Sequence, residues 1–153
     1  MIFGLAAAAG AQAEAAFAAA APAAAPLTSE RLLTDATKAA ERGDDVAALQ
    51  LFQAAIVHGA ATAEPYLGIA KFHAENNEPG LAERYYGTVL ELDPANPAAL
   101  NGLGLLELAK GNRAAAEARY ALLVRACGQT CPEAVQLNQA LNSGPALNNG
   151  TPN

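Results

Sequence analysis

Tryptophan is absent, and phenylalanine and tyrosine together supply only 5% of the 153 residues. The rings and β-branched side chains that favour sheets are scarce, and strands are poorly supplied. Cysteine occurs only as Cys127 and Cys131, and histidine only as His58 and His73. A structural zinc needs four ligands, and neither histidine lies near the cysteine pair in sequence, so a closed zinc site is not expected. Basic residues are also few, with 9 Lys and Arg against 15 Asp and Glu and a formal net charge of −6. That field repels phosphate backbones, which excludes nucleic acid as a partner. The basic residues are scattered singly, so an anionic membrane surface gains no cluster to hold.

A membrane anchor needs about 20 strongly apolar residues in a row. The one apolar run, MIFGLAAAAGAQA, is nearly half alanine and is followed by Glu14 and Pro22. An uncleaved N-terminus is the single route left open to membrane association. No Gly-rich phosphate loop, G-x-S-x-G elbow, H-E-x-x-H or calcium-loop pattern occurs. No catalytic residue, cofactor or metal is therefore expected, and Glu75, Glu78 and Glu83 read as solvated carboxylates around a turn.

What the chain does have is alanine, which enters helices without loss of side-chain entropy. Residues 1–13 close on Ala11-Gln12-Ala13, the small-x-small form of a secretory cleavage site, although no basic residue precedes the apolar run. The expectation is a signal peptide, with an Ala-rich helix as the alternative. Residues 14–28 contain the tract AAAAPAAAP and read as a stiff spacer. Residues 142–153, rich in Asn, Gly and Pro, read as a disordered tail.

Between these ends the sequence repeats every 34 residues, over 29–62, 63–96 and 97–130. Ala48, Ala82 and Ala116 coincide, as do Phe52, Tyr86 and Tyr120, then Ala36, Ala70 and Gly104, then Gly43, Asn77 and Gly111. Alanine matches itself easily in such a chain. Three scarce aromatics in one register have a chance on the order of 10⁻⁴, so the period is real. Small residues let paired helices approach closely, and an aromatic fills the space between one pair and the next. Gly43, Asn77 and Gly111 belong to types that tolerate positive φ and end a helix. Helices follow near 30–42, 45–58, 63–76, 79–92, 97–110 and 113–126. Pro132, Glu133 and the stop Asn142-Ser143-Gly144 define a seventh over 132–141.

This unit, with Leu92-Asp93-Pro94 closing its middle copy, resembles the tetratricopeptide repeat. Leu32 and Leu100 stand where the middle copy has Tyr66, and Ala60 replaces the closing proline of the first. The resemblance implies an all-α solenoid of three helix hairpins, with residues 131–141 as a capping helix. It also implies a concave groove lined by Leu33, Thr37, Leu67, Lys71, Asn101, Leu105 and Leu108, rimmed by Glu30, Glu41, Glu64 and Glu75. Only Lys71 and Asn101 match the cations and amides with which such domains grip a terminal carboxylate, so no carboxylate clamp is expected. A partly apolar, acid-rimmed groove suits an amphipathic helix or peptide with basic flanks. The alternative is that some of these leucines are covered by the N-terminal segment or the cap.

Cys127 and Cys131 enclose Gly128-Gln129-Thr130, a ring that closes if the backbone turns there. A disulfide pinning the cap is the expectation for an exported chain. Two reduced thiols are the alternative, and a metal or redox pair a third. The functional expectation is a non-catalytic protein-binding module, periplasmic or secreted, acting as adaptor or assembly factor for an envelope complex, with a cytoplasmic location as the alternative. A structural subunit that self-associates through helix edges is the second reading, and a thiol-dependent enzyme the remote third.

Overall fold

The computed structural model describes residues 26–143. The expectations for the leader, for nearly all of the spacer and for the tail from 144 onward lie outside those residues. Seven α-helices follow one another: α1 Ser29–Glu41, α2 Asp45–Val57, α3 Ala63–Glu75, α4 Pro79–Leu92, α5 Pro97–Ala109, α6 Arg113–Cys127 and α7 Pro132–Ser143. Among the described residues there is no strand.

The chain starts and stops its helices with local chemistry. Thr28, Asp44 and Asn96 each accept a backbone N–H three residues on, from Arg31, Ala47 and Ala99, at 3.2, 3.2 and 3.1 Å. Such bonds satisfy donors that the first helical turn leaves open. Within each hairpin the first helix ends in the same way. Gly43, Asn77 and Gly111 take φ of 75°, 58° and 80°. The next amide then reaches back across the turn, Asp44 to Ala39, Glu78 to His73 and Asn112 to Glu107, at 3.0, 2.9 and 2.8 Å. This is the six-to-one closure of a left-handed cap, and it reverses the chain into the second helix.

The helices pack as α1–α2, α3–α4 and α5–α6 pairs, each pair resting on the next, and α7 lies against both α5 and α6. Ala36, Ala70 and Ala82 are fully buried, which lets the paired backbones come together. Phe52 and Tyr86 occupy equivalent sites between hairpins: the Phe52 ring lies where a side chain on Gly68 would project, and the Tyr86 ring does the same at Gly102. Tyr120 differs from the expectation. It is only half-buried at the edge of the last core cluster, and the position equivalent to Gly68 and Gly102 is Gln136, in α7.

Two further differences concern α7. The helix runs on to Ser143 rather than stopping at 141, with Ser143 Oγ donating to the Gln139 carbonyl at 2.7 Å and Asn142 Nδ2 to Asn138 Oδ1 at 3.3 Å. Those side chains bond back onto the helix rather than breaking it. Gly104, aligned with Ala36 and Ala70, meets Leu137 of α7, so its missing Cβ admits the cap.

Candidate functional site

Successive first helices bring the groove residues of the first two hairpins together. Thr37 on α1 is exposed, and its one hydroxyl hydrogen is placed between two acceptors, the Leu33 carbonyl at 3.0 Å and Glu64 Oε1 on α3 at 3.3 Å. Beside that tie an open cleft of about 310 Å³ lies between the first hairpin and α3. Its apolar walls come from Ala40, Ala48, Phe52, Leu67, Gly68 and Phe72, and its polar rim from Thr37, Asp45, Glu64, Lys71 and Glu75. A second depression of about 400 Å³ shares Thr37 and Glu64 with it and adds Leu33, Glu30 and Glu41. Leu33 and Leu67 are half-buried and Lys71 is exposed, so both apolar and charged groups remain within reach of a ligand.

The third hairpin contributes differently. Asn101 is only 8% exposed, and its Nδ2 donates to Gln136 Oε1 at 2.6 Å, while its Oδ1 is buried without a partner. Leu105 and Leu108 pack on the cluster formed by Leu100, Leu123, Leu137 and Leu141. The cap therefore covers this end of the expected groove, which is the alternative in which some lining leucines are packed by the chain itself. Arg113 on α6 fixes the far end of the cap by donating from Nη1 to the Leu141 carbonyl at 2.7 Å.

Phe52, Gly68 and Phe72 wall the cleft, although none of them is among the groove residues expected from the sequence. A signal for two of them was present: Gly68 and Gly102 recur at the repeat period, each sixteen residues after an aromatic of the repeating register, Phe52 and Tyr86. The acidic cluster is largely exposed, as expected, and two of its carboxylates also have partners. Glu83 Oε2 accepts from Lys110 Nζ at 2.6 Å, and that bond raises the lysine pKa. Glu78 Oε2 lies 2.5 Å from His73 Nδ1, with the His73 ring stacked on Tyr85 at 5.5 Å between centroids. Burial, reinforced by the Glu75 carboxylate, raises the Tyr86 phenol pKa. Cys127 and Cys131 face each other across the α6–α7 turn with Cα atoms 5.9 Å apart.

No family model matches the sequence, and no curated protein matches it. Among solved structures the chain is similar to the type III secretion chaperone SycD of Yersinia enterocolitica. With SycD in complex with a peptide of the translocator YopD it shares 24% identity at a TM-score of 0.62, over 74% of this chain and 86% of that one. A second structure of this translocator chaperone gives 22% and 0.63, over 74% and 87%. An alternative dimer of SycD gives 23% and 0.62, over 75% and 86%. The likeness is one of fold: stacked helix hairpins.

Proposed function

We propose that this chain is a non-catalytic adaptor that takes a peptide or amphipathic helix of a protein partner into the cleft between the first hairpin and α3. The observation that carries this reading is the cleft itself, with Phe52, Leu67 and Phe72 beneath a rim of Asp45, Glu64 and Glu75. An apolar anchor of the partner fills the floor, and basic residues flanking it meet the rim. The fold shared with a chaperone that holds a translocator peptide supports the same use. We read the three hairpins as tetratricopeptide repeats, supported by the small-residue columns and the common turn closure.

The test uses an amphipathic peptide with flanking lysines and fluorescence anisotropy. Leu67→Glu should weaken binding at least about tenfold, or about 1.4 kcal/mol, because a carboxylate then sits on the apolar floor. Equal affinity in wild type and variant would remove the cleft as the binding site.

The adaptor acts outside the cytoplasm, in the periplasm or as a secreted protein, in assembling an envelope complex. The leader-like residues 1–13 and the facing cysteines support that reading. N-terminal sequencing of the mature protein should begin at Glu14; recovery of Met1 would count against export. A second reading, self-association through a helix edge, is favoured by Val57 and Leu27, which are 84% and 61% exposed. Light scattering that gives a monomer mass at every concentration would dispose of it.

A further inference from the structure

We propose that the α6–α7 turn, in its dithiol form, binds a thiophilic divalent cation such as Zn²⁺ through Cys127 Sγ, Cys131 Sγ and a carboxylate oxygen of Glu133. In the structure the two sulfurs are joined as a disulfide, and a carboxylate oxygen of Glu133 lies with them, all three atoms within 4.8 Å of one another. The turn brings the three residues together. Gly128, at φ 88°, folds the chain back after α6, and Pro132 starts α7 immediately after Cys131. Glu133 then stands in the first turn of α7, on the side the sulfurs occupy.

The surroundings suit a cation. All three residues are half-buried, and both cysteines pack against the apolar cluster of Leu123, Leu137 and their neighbours. The site is shielded from bulk water on one side and open on the other. Glu133 makes no ion pair among the described residues, so its carboxylate is not already committed. Two thiolates and one carboxylate match the softness of zinc and leave a fourth tetrahedral position for water. Calcium and magnesium, which take six or more oxygens, are poorly served by the same set.

The disulfide and the metal are alternative closures of one turn. A dithiol reductant supplies two electrons and two protons to the Cys127–Cys131 bond, its own sulfurs closing into a disulfide, and leaves two thiols. Zn²⁺ then displaces the two thiol protons. The sulfurs part to about 3.8 Å, the edge of a tetrahedron with Zn–S of about 2.3 Å, a span that Cα atoms 5.9 Å apart accommodate. Either closure ties the end of α6 to the start of α7 and keeps the cap in place.

The experiment titrates Zn²⁺ against a chromophoric competitor in full-length protein reduced with a phosphine under argon, with circular dichroism confirming that each variant is helical. Reduced wild type should take up one Zn²⁺ per chain, the oxidised protein none and Cys131→Ser none. Glu133→Gln should bind at least about tenfold more weakly. Absence of stoichiometric uptake by the folded, reduced wild type overturns the proposal. Uptake that survives Cys131→Ser, or an unchanged affinity in Glu133→Gln, does the same.

Discussion

A glycine inside a helix ordinarily costs about 0.5–1 kcal/mol relative to alanine. Gly68 and Gly102 are retained against that cost because the Phe52 and Tyr86 rings occupy the space a side chain would take. Gly68→Ala should therefore destabilise, by about 1–3 kcal/mol, as overpacking does. Phe52→Ala alone should cost about 3–5 kcal/mol through the cavity it leaves. Chemical denaturation of the double variant should show less than the summed loss, since the new methyl enters space that the ring has vacated. Gly87 is the control: nothing lies within 4 Å of its missing Cβ, so Gly87→Ala should gain stability. Tyr86 adds a prediction in pH. Its folded-state pKa is raised above the ordinary 10.0 by burial and then by Glu75. Between pH 10 and that raised value the folded chain holds a proton the unfolded chain has released. Stability is thus fully present below about pH 10 and falls as pH rises beyond it. Tyr86→Phe should flatten this alkaline limb in urea midpoints measured across pH 9–11, and an unchanged slope would mean the phenol is not its source.

At the scale of the helices, the decisive piece is α7. It stands where a fourth hairpin would begin, but it lies on α5 as well as α6, with Leu137 against Gly104 and Gln136 bonded to Asn101. As a disulfide, Cys127 and Cys131 close a ring of five residues, and that cross-link stabilises by about 2 kcal/mol on the loop-entropy account. Reduction should lower the thermal midpoint by the equivalent of that figure, and Cys127→Ser should match the reduced protein rather than fall below it. The positions of all seven helices were legible in the sequence because their signals are local: the 34-residue period, Gly43, Asn77 and Gly111 as stops, and Pro132 as the start of the last. The environment of Tyr120 was not legible. It depends on whether a glycine or a larger residue faces the ring from the following helix, and the 34-residue period ends before Gln136 can be compared with a further copy. The packing of Leu105 and Leu108 by the cap was legible only as an alternative, and the burial of Asn101 was not, since periodicity describes how hairpins meet each other and not how a lone helix folds over the last one.

Across the whole molecule, the stacking leaves two hairpins to form an accessible cleft and commits the third to the cap. That division sets what binding can look like. The apolar floor lies between α2 and α3, while Asp45, Glu64 and Glu75 stand around it with Lys71 as the one opposing charge among the cleft's lining residues. The acidic excess of the chain as a whole, −6, has the same sign as the rim. On the proposed reading, a basic-flanked peptide would be drawn in by long-range attraction and held by short-range burial, and salt separates the two. Raising ionic strength from 0.01 to 0.15 M shortens the screening length from about 30 to about 8 Å, which weakens the rim term and leaves the floor intact. Affinity should fall over that range, mainly through slower association. The double variant Glu64→Gln, Glu75→Gln should bind more weakly at low salt, converge on wild type at high salt and show a flatter dependence. Leu67→Glu should behave oppositely, losing affinity at every salt concentration because the floor is damaged while the rim gains a charge. Stopped-flow association with the same peptide distinguishes these patterns. A wild-type affinity indifferent to salt would mean the carboxylates take no part in recognition, and the partner would then be sought among apolar segments without basic flanks.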